Sequence, residues 1–319
     1  MLFDQKDLKK GGIIHKLIKQ KLLEYVKPGL TLIDIRLQIE RWIQEFIKCD
    51  SDIYHHSSGI AFPIGLSLNN CAAHDSPFQN SHCQKTYTDQ DILKIDFGIS
   101  INGAIIDSAI SITHHPELEK LKEISIEATQ TGISHSGCDA KLSEIGKAIQ
   151  EVIMSYEIPI NGKEYQVVSC QNLCGHQIYP YMIHATKVVP NIYIPFYNER
   201  MKEGEVYAIE TFPTTGTGNL KDGTDISHYM INYKPLNIPK PPHKKTYTKI
   251  FDVRKTLAWH SDWFNDYQKE DPNFQKDLKK LIKNDYIKEY PPLLDKEGSF
   301  VAQTEHTIGI QENGIQVYS

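Results

Sequence analysis

The 319-residue sequence lacks several features that would assign it to a common protein class. It has no apolar run of about eighteen residues, so no membrane-spanning helix is expected. Its six cysteines include no CxxC pair, which argues against a zinc ribbon and, at this length, against a disulfide framework. Positive charge is not in excess: the net charge of −5 argues against a surface that coats nucleic acid or an anionic membrane. The N-terminal segment lacks the apolar core of a signal peptide, so we expect a cytoplasmic protein.

Composition and periodicity instead indicate a globular protein of the α+β class. Hydrophobic residues make up 40% of the chain and charged residues 24%, which is ordinary for a protein with a sizeable core. Apolar residues at helical spacing predict two helices within 11–48 and single helices at 116–131 and 139–155. Strand patterns occur at 91–100, 104–113, 205–213 and 299–310. We expect residues 60–90 to be mostly loop. Helices mixed with antiparallel hairpins are typical of α+β proteins.

One segment interrupts this plan. Four prolines, Pro235, Pro239, Pro241 and Pro242, form a stiff connector, and residues 246–289 then look helical and highly charged. We therefore predict a single catalytic domain over residues 1–319 that contains a compact helical insertion at 230–293. Basic and acidic residues alternate in the insertion, which is typical of a solvated surface. No nucleic-acid or membrane partner is expected.

The sharpest local prediction is a β-hairpin. Asn102-Gly103 lies between two apolar runs and favours a type I′ turn, because both central positions of that turn need positive φ. This turn sets Gly98 opposite Asp107 and places Asp96 on the same face of the hairpin, diagonal to Asp107. The opposite face is apolar and should be core. A solvated strand face is the alternative interpretation of the two aspartates taken alone.

Three further polar residues suggest a metal site. Glu210 in VYAIETF and Glu305 in FVAQTEHTI are each the single acid within an apolar-to-small strand pattern, and His176 follows a glycine in NLCGHQI. Charged groups are rarely buried unless something pairs them, and two divalent cations would balance four carboxylates. Oxygen donors with one imidazole suit Mn, Fe, Co or Zn. We therefore predict a two-metal hydrolase whose ligands are Asp96, Asp107, His176, Glu210 and Glu305.

Several stretches, in this order, resemble the type 2 methionine aminopeptidases. They are GIAFPIGLSLNNCAAH (59–74), KIDFG with IIDSA (94–109), NLCGHQI (172–178), YMIHATKVVP (181–190), EVYAIETF (205–212), ISHYM (226–230) and TEHTI (304–308). The resemblance extends from about residue 12 to the C-terminus. It implies the pita-bread fold, in which two pseudo-symmetric α+β halves enclose a dinuclear centre. The insertion at 230–293 is typical of the type 2 branch.

The resemblance also implies a role for each matching residue. Asp96 would chelate one metal, His176 and Glu210 the other, and Asp107 and Glu305 would bridge both. Glu210 would also carry a proton to the leaving amine. The remaining implied active-site residues are the imidazoles His74 and His184, which would act on the scissile amide and the tetrahedral state, and the methionine pocket formed by Phe62, Ile183, Phe212, His228 and Ala258. Cys174 and Gln177 depart from the family pattern at the rim near His176.

The implied activity is removal of the initiator methionine from nascent polypeptides whose next residue is small, through a two-metal-activated hydroxide. A cytoplasmic monomer is expected, and association with the ribosome is a further expectation. Two alternatives remain open. One is an X-Pro aminopeptidase or prolidase with the same fold, which would leave GIAFP, NNCAAH and the insertion unexplained. The other is a non-catalytic binding protein associated with translation, which the complete set of ligand positions disfavours.

Overall fold

The computed structural model describes residues 3–49, 58–232 and 243–319. The predicted proline connector lies outside these described residues. The helices are α1 (Gln5–Tyr25), α2 (Leu32–Cys49), α3 (Glu119–Ser134), α4 (Leu142–Met154), α5 (Lys244–Arg254), α6 (Asn265–Glu270) and α7 (Phe274–Lys283). The strands are β1 (Gly59–Ile60), β2 (Gly65–Leu68), β3 (Cys71–Ala73), β4 (Ile92–Ile101), β5 (Ala104–Thr113), β6 (Glu157–Ile160), β7 (Lys163–Gln166), β8 (Val168–Ser169), β9 (Cys174–Ile178), β10 (Val188–Pro190), β11 (Val206–Thr211), β12 (Pro213–Thr214), β13 (Lys221–Asp222), β14 (His228–Ile231), β15 (Trp259–His260), β16 (Ile287–Tyr290), β17 (Leu293–Leu294), β18 (Thr304–Gln311) and β19 (Gly314–Val317).

The four helices predicted from periodicity are all present. At the start of α2, the backbone N–H of Asp34 donates to Thr31 Oγ1 at 3.2 Å, so Thr31 satisfies one of the free N–H groups of the first turn. Ile35, Ile39 and Ile43 recur at helical spacing on the buried face of this helix. Within the described residues, no helix is both long and apolar enough to cross a membrane.

The β4–β5 hairpin has the predicted register. Gly98 pairs with Asp107, and Asp96 pairs with Ala109. Asn102 and Gly103 have φ values of 51° and 89°, as a type I′ turn requires. Residues 60–90 are mostly loop, as predicted, but the segment also contains short strands that were not predicted: β1 and β2 both pair with β4, and β3 pairs with β17. These strands are only two to four residues long, with the sequences GI, GLSL and CAA, so they are too short to show a clear period-two pattern.

The fold has two halves, each with a helix pair packed on a sheet. Helices α1 and α2 pack their apolar faces on β4 in one hydrophobic cluster. Helices α3 and α4 pack on β11 and β18 in a second cluster. The second sheet has the strand order β10-β9-β11-β18-β19, and its register sets Glu210 opposite Glu305 and Ala208 opposite His176.

Side-chain hydroxyls join the two sheets where β5 meets β18. Thr307 Oγ1 accepts a hydrogen bond from the backbone N–H of Asp107 at 2.8 Å and donates to the Asp107 carbonyl at 2.6 Å. Ser108 Oγ donates to the carbonyl of Glu305 at 2.5 Å. These three bonds use groups buried between the sheets, so they fix the backbone at Asp107 against the backbone at Glu305.

The segment predicted as a helical insertion contains α5, α6 and α7, and it also contains two short strands that the sequence did not indicate. Strands β15 and β16 flank β14 in a three-stranded sheet. Trp259 and Ile287 from these strands are buried with Phe264 and Phe274 in a separate hydrophobic cluster. The dense charge on the surrounding helices masked this small core in the sequence. The extent of the catalytic domain (1–319) and of the insertion (230–293) remains a prediction.

Candidate metal centre and substrate pocket

One cavity of about 250 Å³ lies between the two halves and the insertion. All the site residues predicted from the sequence line it, although they come from widely separated parts of the chain. They are Phe62, His74, Asp96, Asp107, His176, Ile183, His184, Glu210, Phe212, His228, Ala258 and Glu305. The structure therefore brings the complete predicted set together.

The bottom of the cavity, which we call the carboxylate floor, consists of Asp96, Asp107, His176, Glu210 and Glu305. Asp107, His176 and Glu305 each offer a potential ligand atom, and these atoms all lie within 4.8 Å of one another. His176 Nε2 is 3.5 Å from Asp107 Oδ2 and 3.7 Å from Glu210 Oε1. The floor therefore has the spacing of a set of ligands that converge on a common centre.

Gln303 connects the remaining floor residues, and the sequence analysis missed it. Its Nε2 donates to Asp96 Oδ2 at 3.3 Å and to Glu210 Oε2 at 3.4 Å. Gln303 precedes Glu305 by two positions. Side chains two residues apart in extended chain share a face, so the prediction for Glu305 could have included Gln303.

Burial and mutual repulsion raise the pKa values of the floor carboxylates. Burial raises the pKa of Asp96 to about 7. For Asp107, burial and then the charges of Asp96 and Glu210 raise the pKa well above its usual range. Burial and neighbouring carboxylates likewise raise the pKa of Glu210 and of Glu305. A cluster of this kind is costly to ionise without a cation among the groups.

Buried oxygen atoms without hydrogen-bond partners and a neutral imidazole make the floor suitable for divalent metal ions. Among the described residues, no donor hydrogen-bonds to either carboxylate oxygen of Glu305 or to Asp96 Oδ1. Buried acceptors of this kind normally have a partner. Burial lowers the pKa of His176 to about 4, so its ring is neutral at pH 7 and has a lone pair for a metal. The donor set of carboxylates and one imidazole suits Mn, Fe, Co or Zn.

Two more imidazoles and a tyrosine line the cavity next to the floor. The His184 ring centroid is 4.4 Å from that of His176, and the His184 side chain is accessible from solvent. Burial lowers the pKa of His74 to about 4, so this ring too is neutral at pH 7. Tyr290, which the sequence analysis missed, has its ring 5.7 Å from His74 and 5.8 Å from His184. Tyr290 was difficult to predict as a cavity residue because it lies in a charged segment just before Pro291-Pro292.

The side of the cavity, which we call the pocket wall, comes largely from residues 226–231 and 254–290, with Phe62 facing them. It includes His228, Ala258 and Tyr290. Phe62 lies over Gly98, where an added Cβ would be 2.2 Å from the Phe62 ring. Glycine is therefore required at position 98 for Phe62 to occupy this position. Beyond the predicted residues, Met230 and Leu173 also contribute apolar surface to the cavity.

Comparison with known proteins gives a family match by sequence and several matches by fold. The model of metallopeptidase family M24 matches residues 6–234. Methionine aminopeptidase 2 of Lachancea thermotolerans is 38% identical over 320 residues, which cover 98% of this chain and 75% of that protein. The structure of a thermophilic Arx1 superposes with a TM-score of 0.78 at 16% identity, covering 98% of this chain and 90% of that one. A methionine aminopeptidase structure from Thermotoga maritima superposes with a TM-score of 0.66 at 15% identity, covering 100% and 98%.

The fold and the family match together define a metal-dependent hydrolase with the pita-bread architecture predicted above, and the carboxylate floor is its candidate metal centre. The chain belongs to metallopeptidase family M24, and the predicted resemblance to the type 2 methionine aminopeptidases is confirmed. It is an enzyme, an aminopeptidase that depends on divalent metal.

Proposed function

We propose that this enzyme removes the N-terminal methionine from polypeptides whose second residue is small. The observation that carries the proposal is the cavity itself. It combines a carboxylate floor suited to metal with an apolar pocket lined by Phe62, Ile183, Phe212 and Ala258. A flexible thioether packs well against aromatic and aliphatic surface of this kind.

We propose that the floor holds two divalent cations. Asp96 would chelate one, His176 and Glu210 the other, and Asp107 and Glu305 would bridge them. Two observations support this proposal. Four carboxylates would balance the charge of two divalent cations, and the potential ligand atoms of Asp107, His176 and Glu305 lie within 4.8 Å of one another. Bound cations of this type polarise a carbonyl and make a water molecule acidic near neutral pH. Mn, Co, Fe and Zn are the candidate metals.

The protein side chains would bind the peptide and move the proton. Glu210 lies on the floor with a pKa raised by burial, so it can accept a proton and pass it to the leaving amine. His74 would hydrogen-bond the scissile amide, since its ring is neutral and its buried Nδ1 has no partner among the described residues. His184 would stabilise the negative charge that develops on the carbonyl oxygen.

The substrate is expected to be the N-terminus of a nascent chain. We therefore propose a cytoplasmic monomer that acts close to the ribosome. The size of the cavity supports the substrate part of this proposal, because about 250 Å³ admits one side chain and a short stretch of peptide, as the N-terminus of an unfolded chain presents them.

Peptide competition tests the proposed specificity. The metal-supplemented enzyme is expected to hydrolyse Met-Ala-Ser and to leave an X-Pro peptide of the same length intact. Preference for the X-Pro peptide would assign the chain to a prolidase-like activity. Absence of hydrolysis and of metal uptake with added Mn or Co would favour a binding protein.

A further inference from the structure

Arg254 is a half-buried cation at the edge of the pocket wall, and no carboxylate of the described chain forms an ion pair with it. Its Nη2 donates to three backbone carbonyls, at 2.8 Å to Ile60, 3.2 Å to Ala61 and 2.7 Å to Ala258. The guanidinium lies over the ring of Trp263, 4.9 Å from the ring centroid. Burial lowers its pKa to about 10, so the group still carries its charge at pH 7. Carbonyl dipoles and an aromatic face therefore compensate this charge.

The three carbonyls belong to opposite sides of the substrate pocket. Ile60 and Ala61 directly precede Phe62, whose ring lines the cavity. Ala258 lines the cavity from the insertion. One side chain therefore connects the backbone behind Phe62 to the backbone of Ala258.

The two residues that follow Arg254 also fix this segment beside the cavity. Lys255 has a φ of 54°, which reverses the chain immediately after α5 and costs strain in a residue with a side chain. Thr256 Oγ1 donates to the carbonyl of Tyr181, which is two residues from the pocket residue Ile183. The segment thus hydrogen-bonds to two stretches that line the cavity.

We infer that Arg254 is a positioning residue that sets the width of the methionine pocket by fixing Phe62 relative to Ala258. The inference deepens the proposed function and rests on it. The guanidinium reaches all three carbonyls through one nitrogen while its central carbon stays over the Trp263 ring, a stacked position that a compact, strongly hydrated ammonium group does not reproduce. Arg254 touches neither the carboxylate floor nor His74 or His184, so its effect should be on substrate binding alone.

The test compares Arg254→Met with the control Lys249→Met. Lys249 is exposed on the same helix, and its Nζ lies over the Tyr267 ring at 4.9 Å without contacting the pocket. Each substitution removes one cation from an aromatic face, but only the first frees the three carbonyls. For Arg254→Met we expect KM for Met-Ala-Ser and the Kd of L-methionine to rise about tenfold, with kcat within about twofold and metal content unchanged. Lys249→Met should match the wild type.

Arg254→Lys provides a second variant should the methionine variant fail to fold. It keeps the charge but is shorter and lacks the planar group that lies over Trp263, so we expect a smaller rise in KM and in the Kd of L-methionine, about threefold. An unchanged KM and Kd in either folded variant, or a loss confined to kcat, would overturn the inference while leaving the proposed function intact. A wild-type enzyme that does not hydrolyse Met-Ala-Ser would overturn both.

Discussion

The carboxylate floor and the pocket wall form one cavity but are held in different ways. The floor is carried by strands of up to ten residues, and the hydroxyls of Thr307 and Ser108 fix it across the junction of the two sheets. The wall depends on β15, which has two residues, and on a small aromatic cluster around Trp259. Rigid ladders thus position the proposed metal ligands, while a separately packed element shapes the pocket that we propose for the methionine side chain.

This difference predicts that substitutions in the floor and in the wall will affect different quantities. Floor variants should lose metal and kcat. Wall variants should keep metal and change KM. The predictions below test that separation, from the largest expected effect to the smallest.

Asp107→Ala should have the largest effect. It removes a proposed bridging ligand that is 4% exposed, so we expect loss of bound metal and a fall in kcat of about 10³-fold or more. Asp107→Asn keeps the shape and removes the charge, so it should show nearly the same loss. Metal analysis and steady-state kinetics on both variants provide the measurement. Full metal retention in Asp107→Ala would show that Asp107 is not a metal ligand.

Thr307→Val tests whether the sheet junction positions the floor. The valine keeps the shape but removes both hydrogen bonds to the backbone of Asp107. Partners that orient a ligand are typically worth about 10- to 100-fold in metal affinity, and we expect a loss of that size by calorimetric titration. Thr307→Ser should restore most of the affinity. If the valine variant binds metal as tightly as the wild type, the junction does not orient Asp107.

In the metal-free enzyme, the floor carboxylates should make the protein less stable as the pH rises from about 4 to about 7. Burial raises the pKa of Asp96 to about 7 and those of Asp107 and Glu305 well above normal, so these groups bind more protons in the folded state than in the unfolded state. Each such group gives the unfolding free energy a negative slope of about 1.4 kcal/mol per pH unit within its titration window. Buried cationic groups give the opposite slope: burial lowers the pKa of His74 and of His176 to about 4, which acts below about pH 6.5, and lowers the pKa of Lys94 to about 7, which acts above pH 7. The contribution of the floor is therefore measured against a variant that lacks it.

Urea unfolding of chelator-treated protein at pH 5 and pH 7 measures this contribution. The matched control is the Asp96→Asn, Asp107→Asn double variant, which keeps the buried histidines and Lys94 and replaces two of the titrating carboxyls by neutral amides. Relative to this variant, the metal-free wild type should lose stability between pH 5 and pH 7. Metal-loaded wild type should show no such relative loss, because the cations hold the carboxylates ionised. A metal-free wild type that gains stability relative to the double variant between these pH values would contradict the assignment of raised pKa values.

His228→Ala should have the smallest effect of the four. His228 is buried in the wall, and its Nδ1 hydrogen-bonds Ser227 Oγ at 2.9 Å, away from the floor. We expect KM for Met-Ala-Ser to rise about three- to tenfold, with bound metal unchanged. Loss of metal from this variant, equal to that of Asp107→Ala, would show that the wall and the floor are not separable.

The floor and the wall also differ in how well they could be predicted from the sequence. The register of the β4–β5 hairpin was predictable because Asn102-Gly103 admits few turn geometries and period two then places Asp96 and Asp107 on one face. The lone acids Glu210 and Glu305 were detectable because apolar strands surround them. The direct pairing of Glu210 with Glu305 in the second sheet was not predictable. The insertion separates the two strands in the sequence, so the sequence does not indicate that they are neighbours in the sheet.

The wall was much less predictable from residue patterns. Its pocket residues were assigned only through family resemblance, because Ala258 and His228 carry no signal of their own. Tyr290 and Arg254 were missed altogether. Their importance depends on contacts with His74 and with the Ile60 and Ala258 carbonyls, which tertiary packing alone creates. Short strands such as β15 are also too brief to show periodicity.

The most direct test of the two-metal account is anomalous diffraction at the manganese edge from crystals of the Mn-loaded enzyme. The account predicts two anomalous peaks in the cavity, both contacting Asp107 and Glu305, with His176 and Glu210 beside one peak and Asp96 beside the other. A single peak, or peaks that Asp107 and Glu305 do not share, would contradict it.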